Sequence, residues 1–148
     1  MMNHLQIKRT TYRDELVSIQ TIRRLVFQEE QGVTATLEFD GQDETADHLL
    51  SDLNGQPVGT ARIRKLDRQT AKIERLAVLP TARGKGIGKK LMGAALDAIA
   101  QDKQVEKVVI NAQEYVTGLY EKLGFQQIGD RFDEAGIPHV KMVKRLVH

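Results

Sequence analysis

Ile73-Glu74-Arg75-Leu76-Ala77-Val78-Leu79-Pro80 runs, two residues later, into Arg83-Gly84-Lys85-Gly86-Ile87-Gly88, and the fold turns on how these two stretches join. The first is aliphatic and closes on Pro80, which cannot donate to a ladder, so a strand is predicted from Lys72 to Leu79. Beyond the second, Ile87, Leu91, Ala94, Ala95, Ala98 and Ile99 recur at helical spacing. The glycines therefore sit between a strand and a helix. There they let the main chain approach an anion closely, and the first N–H groups of the helix have no partner within it. Arg83, Lys85, Lys89 and Lys90 add positive charge at the same point.

Two familiar anion loops can be tested against this one. A Walker loop needs Gly where Arg83 stands, and Ser or Thr after Gly88-Lys89, where the chain has Lys90. A dinucleotide fingerprint that began at Gly84 would need its third Gly at Lys89. Both fail.

Outward from the loop, Leu5 to Arg9 alternates apolar and charged residues and predicts a first strand. Thr11 is a plausible cap for a helix through about Phe27, with Tyr12, Leu16, Ile19, Ile22 and Val26 on one face. Gly32 to Thr45 lacks periodicity and is expected to be an exposed loop, with a short helix before it. His48 to Leu53, the turn Asn54-Gly55-Gln56-Pro57 and Val58 to Leu66 form a hairpin that continues through a turn at Asp67 to Thr70. After the glycine-loop helix come a strand at Glu106 to Ile110 and a helix at Tyr115 to Leu123, stopped by Gly124. Strands at Phe125 to Ile128 and Val140 to Leu146 follow. The order predicts a mixed α/β fold, one domain spanning 1–148.

Composition narrows the function classes. The 148 residues carry a net charge of +2 and only 5% aromatics, too little of either for a nucleic-acid surface. Cys is absent, so there is no disulfide frame and no thiolate metal site or nucleophile. Met1 to Thr10 has no apolar run, and no stretch approaches the ~20 apolar residues that span a bilayer. No membrane contact and a cytoplasmic location are therefore expected. The charge is unevenly spread. From Leu25 to Ala61 there are eight acids, Glu29, Glu30, Glu38, Asp40, Asp43, Glu44, Asp47 and Asp52, and no Lys or Arg. That split predicts an acidic face opposite a basic one.

The run from Ile73 to Pro80, followed by Arg83 to Gly88, resembles the acetyl-CoA motif of the GNAT acetyltransferase superfamily, Arg/Gln-x-x-Gly-x-Gly/Ala. Arg83, Gly86 and Gly88 fill its fixed places. Asn111 to Phe125, with Leu119-Tyr120-Glu121-Lys122-Leu123-Gly124-Phe125, resembles the superfamily's next motif. The resemblance covers about the central half of the chain and implies a mostly antiparallel twisted sheet, splayed between its fourth and fifth strands and flanked by helices. It implies acetyl-CoA as cosubstrate and no metal. The main chain of Leu76, Ala77 and Val78 would pair with the pantetheine arm. Arg83, Gly84, Lys85, Gly86, Ile87, Gly88 and Lys89 would hold the pyrophosphate, and Asn111 would lie near the pantetheine.

Acyl transfer to an amine requires a neutral, aligned amine and benefits from a proton for the leaving thiolate. Tyr120 aligns with the family's general acid, and a phenol of pKa about 10 is protonated at neutral pH. The alternative role for Tyr120 is packing against Leu119 and Leu123. Glu74 is the first candidate base, placed by strand alternation on the face of Leu76. However, some relatives carry that glutamate two residues earlier, where this chain has Lys72. The base is therefore open between Glu74, a chain of waters, and His48 or His139; Glu74 paired with Arg62, Arg64 or Arg75 is the competing reading. The expected reaction moves an acetyl group to a primary amine of a small molecule or peptide. A cationic acceptor would suit the acidic 28–47 segment. A non-catalytic acyl-CoA-binding regulatory module is the alternative. The acceptor's identity, longer acyl donors, and monomer or homodimer stay open.

Overall fold

Alternating apolar and charged side chains make Leu5–Thr10 the edge strand β1, which lies antiparallel to β2, Asp47–Leu53. Asn54 and Gly55, at φ of 53° and 83°, form the two-residue turn into β3, Gln56–Asp67. Positive φ at both turn residues matches the twist of the hairpin. β3 runs antiparallel to β4, Thr70–Val78. The computed structural model describes residues 4–148. Met1, Met2 and Asn3, the start of the expected 1–148 domain, lie outside the described residues.

Between β1 and β2 the chain forms α1, Leu16–Arg23, which continues as a π-helical segment, Arg24–Glu30. The expected cap at Thr11 shapes the preceding turn instead. Its hydroxyl accepts from the Asp14 N–H at 3.1 Å, and the helix begins at Leu16 without a side-chain cap. A four-residue helix, α2, Ala35–Glu38, lies inside the predicted loop rather than before it. After β4 come α3, Ile87–Ala100, and β5, Lys107–Gln113. A 3-10 turn, Glu114–Val116, leads into α4, Thr117–Lys122. β6, Gln126–Glu134, and β7, Ile137–Arg145, close the chain as a hairpin. Both are longer than the sequence predicts, because Ala135 and Gly136 (φ 51° and 77°) make a tight turn between them.

The seven strands form one sheet in the order β1-β2-β3-β4-β5-β7-β6, antiparallel except where β4 meets β5. One face buries Leu91, Met92, Ala95 and Ile99 of α3 against Leu49, Ile63, Ile73, Val108 and Ile110. The other buries Ile19, Ile22 and Val26, spaced by three and four, against Leu50 and Ala77. Each such buried aliphatic side chain contributes about 1.5–3 kcal/mol relative to exposure. Among the described residues no helix is long and apolar enough to cross a membrane.

Gly59 decides how closely α3 approaches the sheet. A Cβ there would stand 2.5 Å from Ser51 Oγ and 2.9 Å from Leu91 Cδ1. Gly59→Ala is therefore expected to lower unfolding free energy by about 1–3 kcal/mol through overpacking, measured by urea denaturation. An unchanged midpoint would show that α3 shifts without cost.

Candidate active site

β4 and β5 pair in parallel only from Thr70–Lys107 to Lys72–Val109. Beyond those pairs the two strands hold no shared register, and a gap opens between Ile73–Val78 and Ile110–Gln113. Arg75 lies beside the gap at φ 53°. It is the extra residue of a bulge, since Thr60 pairs with Ala77 while Arg62 pairs with Glu74. The bulge corrects the expectation from simple alternation. Glu74 shares the face of Ala77, towards α1, whereas Leu76 and Val78 pack with the α3-side core.

The glycine loop forms the head of the gap. Gly84 and Gly86 adopt φ of 79° and 75°, a region that costs other residues strain, and Gly86 occupies the cap position of α3. No side chain caps this helix, and its first turn holds Lys89 and Lys90 but no acid. Cations there oppose the helix dipole, an arrangement that an anion at the same place would relieve. Among the described residues none of the main-chain N–H groups from Gly84 to Lys89 has a protein acceptor. Together they form a cradle of donors suited to a phosphate or pyrophosphate.

The Arg83 side chain turns away from this cradle. Its Nε donates to the Val78 carbonyl at 3.1 Å, and its two terminal nitrogens grip Glu30 at 2.5 Å each. Glu30 ends the π-helical segment, and its neighbour Gln31 accepts from Gln113 Nε2 at 3.4 Å. The segment is thus tied to the glycine-loop side of the gap and to the far end of β5. Sequence reasoning missed both ties.

Tyr120 is 9% exposed and lies on α4. The helix stops in a Schellman arrangement: Phe125 N–H donates to the Tyr120 carbonyl, Gly124 N–H to that of Glu121, both at 3.0 Å. Gly124 takes φ 96°, and the Phe125 ring meets Tyr120 edge-on at 6.2 Å. The stop therefore fixes the tyrosine's orientation. Burial, with a smaller contribution from Tyr115, pushes its phenol above the ordinary value. Asn111, at the gap side of β5, donates to Glu134 Oε1 at 3.3 Å.

Glu74 belongs to a network centred on Arg62, which is wholly buried. Arg62 donates to Glu74 at 2.8 Å, to Asp40 at 2.7 and 2.9 Å and to Asp43 at 3.0 Å. Arg64 also bonds Glu74, Arg23 bonds Glu38 and Asp43 at 2.5 Å, and Arg75 reaches Asp40 at 3.3 Å. Four guanidinium groups meet four carboxylates. Burial pushes the Glu74 and Asp43 carboxyls up, but their arginine partners outweigh it and hold both below their ordinary values. His48 is buried beside them, with Nε2 2.9 Å from the Asp43 carbonyl oxygen, and burial pushes its pKa down.

This network corrects the expected exposed acidic loop. Glu38 and Asp43 are only 2% and 6% exposed, and Asp47 pairs with Arg9. Arginines from outside the segment neutralise most of its charge. The sequence did carry a signal, an arginine at 62 set between Ala61 and Ile63, but not its partners.

Because Asp40, Asp43 and Glu74 have folded-state pKa values below their unfolded ones, their stabilisation is present above the unfolded carboxyl value, about 4. It is lost as pH falls through the folded values. The melting temperature is expected to be flat near neutrality and to fall progressively below about pH 4. Asp43→Ala, which removes one carboxylate partner from each of buried Arg23 and Arg62, is expected to cost about 3–5 kcal/mol. A melting temperature unaffected by either change would contradict the network's role.

Comparison with known proteins agrees with this fold. The family model described as "Acetyltransferase (GNAT) domain" matches residues 9–146. The protein YyaT of Bacillus subtilis is 39% identical over 145 residues, 96% of this chain and 97% of that protein. The crystal structure of Escherichia coli ElaA superposes with a TM-score of 0.85 at 26% identity, over 95% of this chain and 99% of that one. An acyl-CoA N-acyltransferase from Pseudomonas aeruginosa superposes with a TM-score of 0.86 at 28% identity, with the same coverage. The chain belongs to the GNAT acetyltransferase family.

Proposed function

We propose that this protein is an acyl-CoA-dependent N-acetyltransferase that moves the acetyl group of acetyl-CoA directly to a primary amine of a small molecule or peptide. The observation that carries the reading is the free N–H cradle of Gly84 to Lys89 at the head of the β4–β5 gap. The family and the name of the similar Pseudomonas protein support an acyl-CoA donor. In this reading Gly84, Lys85, Gly86, Ile87, Gly88 and Lys89 hold the pyrophosphate. Arg83 contributes by orienting the loop through Glu30, and its guanidinium is available to the anion if that grip loosens. The main chain of Leu76, Ala77 and Val78, which β5 does not pair and whose Val78 carbonyl accepts from Arg83, receives the pantetheine, and Asn111 lies along the opposite wall.

Tyr120 is the general acid. The amine nitrogen attacks the thioester carbonyl, the C–S bond breaks, and the phenol proton goes to the departing sulfur. A phenol pushed up by burial is fully protonated at neutral pH, which suits a proton donor. Glu74 is ionised and engaged by Arg62 and Arg64, so its role is to hold the bulge and not to take a proton.

Tyr120→Phe is expected to lower kcat by about 10²–10⁴-fold, the usual worth of general-acid help, with acetyl-CoA affinity unchanged. The assay is thiol release with acetyl-CoA over a panel of primary amines, beside calorimetric titration of the donor. Equal rates for the two proteins would sink the assignment. Donor binding without thiol release for any amine would identify a binding module instead.

A further inference from the structure

The wall of the gap formed by β5, β7 and β6 carries several polar groups, of which donor binding uses only Asn111. Ile110, Ala112, Val140 and Met142 face the α3-side core, so alternation turns Asn111, Gln113, His139 and Lys141 to the α1 side. Cross-strand pairing places Gln113 opposite His139 and Phe132 opposite His139. α1 and its π-helical continuation cover β3 and β4 on this side. The patch therefore lies across the gap from them, with the Gln31–Gln113 bond at its edge.

His139 is 7% exposed and stacks on Phe132 with ring centroids 6.0 Å apart. Its Nδ1 lies 2.7 Å from the Ile137 carbonyl oxygen. A carbonyl can only accept, so Nδ1 carries the hydrogen, and in the neutral ring Nε2 presents a lone pair. That lone pair faces Glu134 Oε2 at 3.5 Å. The same carboxylate is steadied at Oε1 by Asn111. Two acceptors then look at each other with no hydrogen between them. A proton on Nε2 resolves the conflict, and so does a ligand with several N–H donors.

We propose that the primary ammonium of the acetyl acceptor binds between His139 Nε2 and Glu134 Oε2, and that His139 takes the proton the amine must lose before attack. The inference rests on the N-acetyltransferase reading. One N–H bond of the ammonium breaks and a proton forms a bond to Nε2, leaving a neutral amine with its lone pair. The positive charge passes from the substrate nitrogen to the ring and stays beside the Glu134 carboxylate. The ring later returns its proton to water. The other charged groups on these strands are Lys141, two residues along β7, and Arg131 on β6, which pairs with Glu114 at 3.4 Å. β5 contributes only neutral Asn111 and Gln113. Glu134 is 48% exposed, which leaves a route for a solute. The other candidate bases are already engaged: Glu74 is gripped by two arginines, and His48 is buried with its Nε2 on a carbonyl.

Imidazole ¹⁵N resonances of the wild-type protein, followed during titration with n-propylammonium chloride, test binding without any donor. A saturable shift of His139 Nε2 is expected, absent with tetramethylammonium chloride, which has no N–H, and absent in Glu134→Gln. No shift, or the same shift with both salts, would overturn the subsite. For whichever panel amine the wild type acetylates, His139→Gln is expected to lower kcat/KM about 10²-fold or more and to remove the acid limb of its pH profile, with acetyl-CoA affinity unchanged. An unaltered profile would overturn the proton-transfer role. Failure of wild type to release thiol with any amine would instead count against the N-acetyltransferase reading, and the titration would still decide the ammonium subsite.

Discussion

Parallel pairing between β4 and β5 stops after Lys72 and Val109, and the site follows from that stop. A parallel pair continued to the strand ends would satisfy the main chain of Leu76 to Val78 and leave nowhere for an extended ligand. Its early end exposes a strip of unpaired backbone on each wall. α3 starts at the head of one wall, and the Asn111 side of β5 forms the other. The sheet survives this interruption because both halves, β2–β3–β4 on one side and β5 and β7 on the other, pack into one shared core against α3.

The bulge at Arg75 depends on electrostatics in place of apolar packing. A left-handed conformation at a long side chain costs of order 1 kcal/mol, and the surrounding arginine–carboxylate network over-determines it. Arg62 anchors Glu74 before the bulge, while Arg75 itself reaches the Glu38 carbonyl and Asp40. The same contacts hold the α2 region against the sheet, on the α1 side of the gap. Charges buried in this way contribute little net stability compared with apolar residues of the same volume, but they strongly penalise any arrangement that separates them. That suits a segment that must keep its shape next to an open cleft.

How much of this was legible in the sequence depends on the range of the interaction. The glycine loop, α3 and the Asn54-Gly55 hairpin are local and were read correctly, as was the splay, through the resemblance carried by Arg83, Gly86 and Gly88. Ala135-Gly136 is a weak turn signal, so the sequence predicts a shorter β6–β7 hairpin than the structure shows. The bulge at Arg75 was invisible, since nothing in Glu74-Arg75-Leu76 breaks alternation, and with it the face of Glu74 was misjudged. The acidic stretch misled for a related reason. A run of eight acids without a base looks like surface charge, and its neutralising partners Arg9, Arg23, Arg62, Arg75 and Arg83 all lie outside the run.

The central claim is that an acyl-CoA donor lies in the β4–β5 gap with its pyrophosphate on the α3 cradle. Amide chemical-shift mapping of the protein titrated with acetyl-CoA tests it most directly. Saturable shifts concentrated at Gly84 to Lys89 and at Leu76 to Val78, with smaller ones at Asn111, are the expected result. Shifts confined to another face of the sheet, or none at saturating acetyl-CoA, would contradict it.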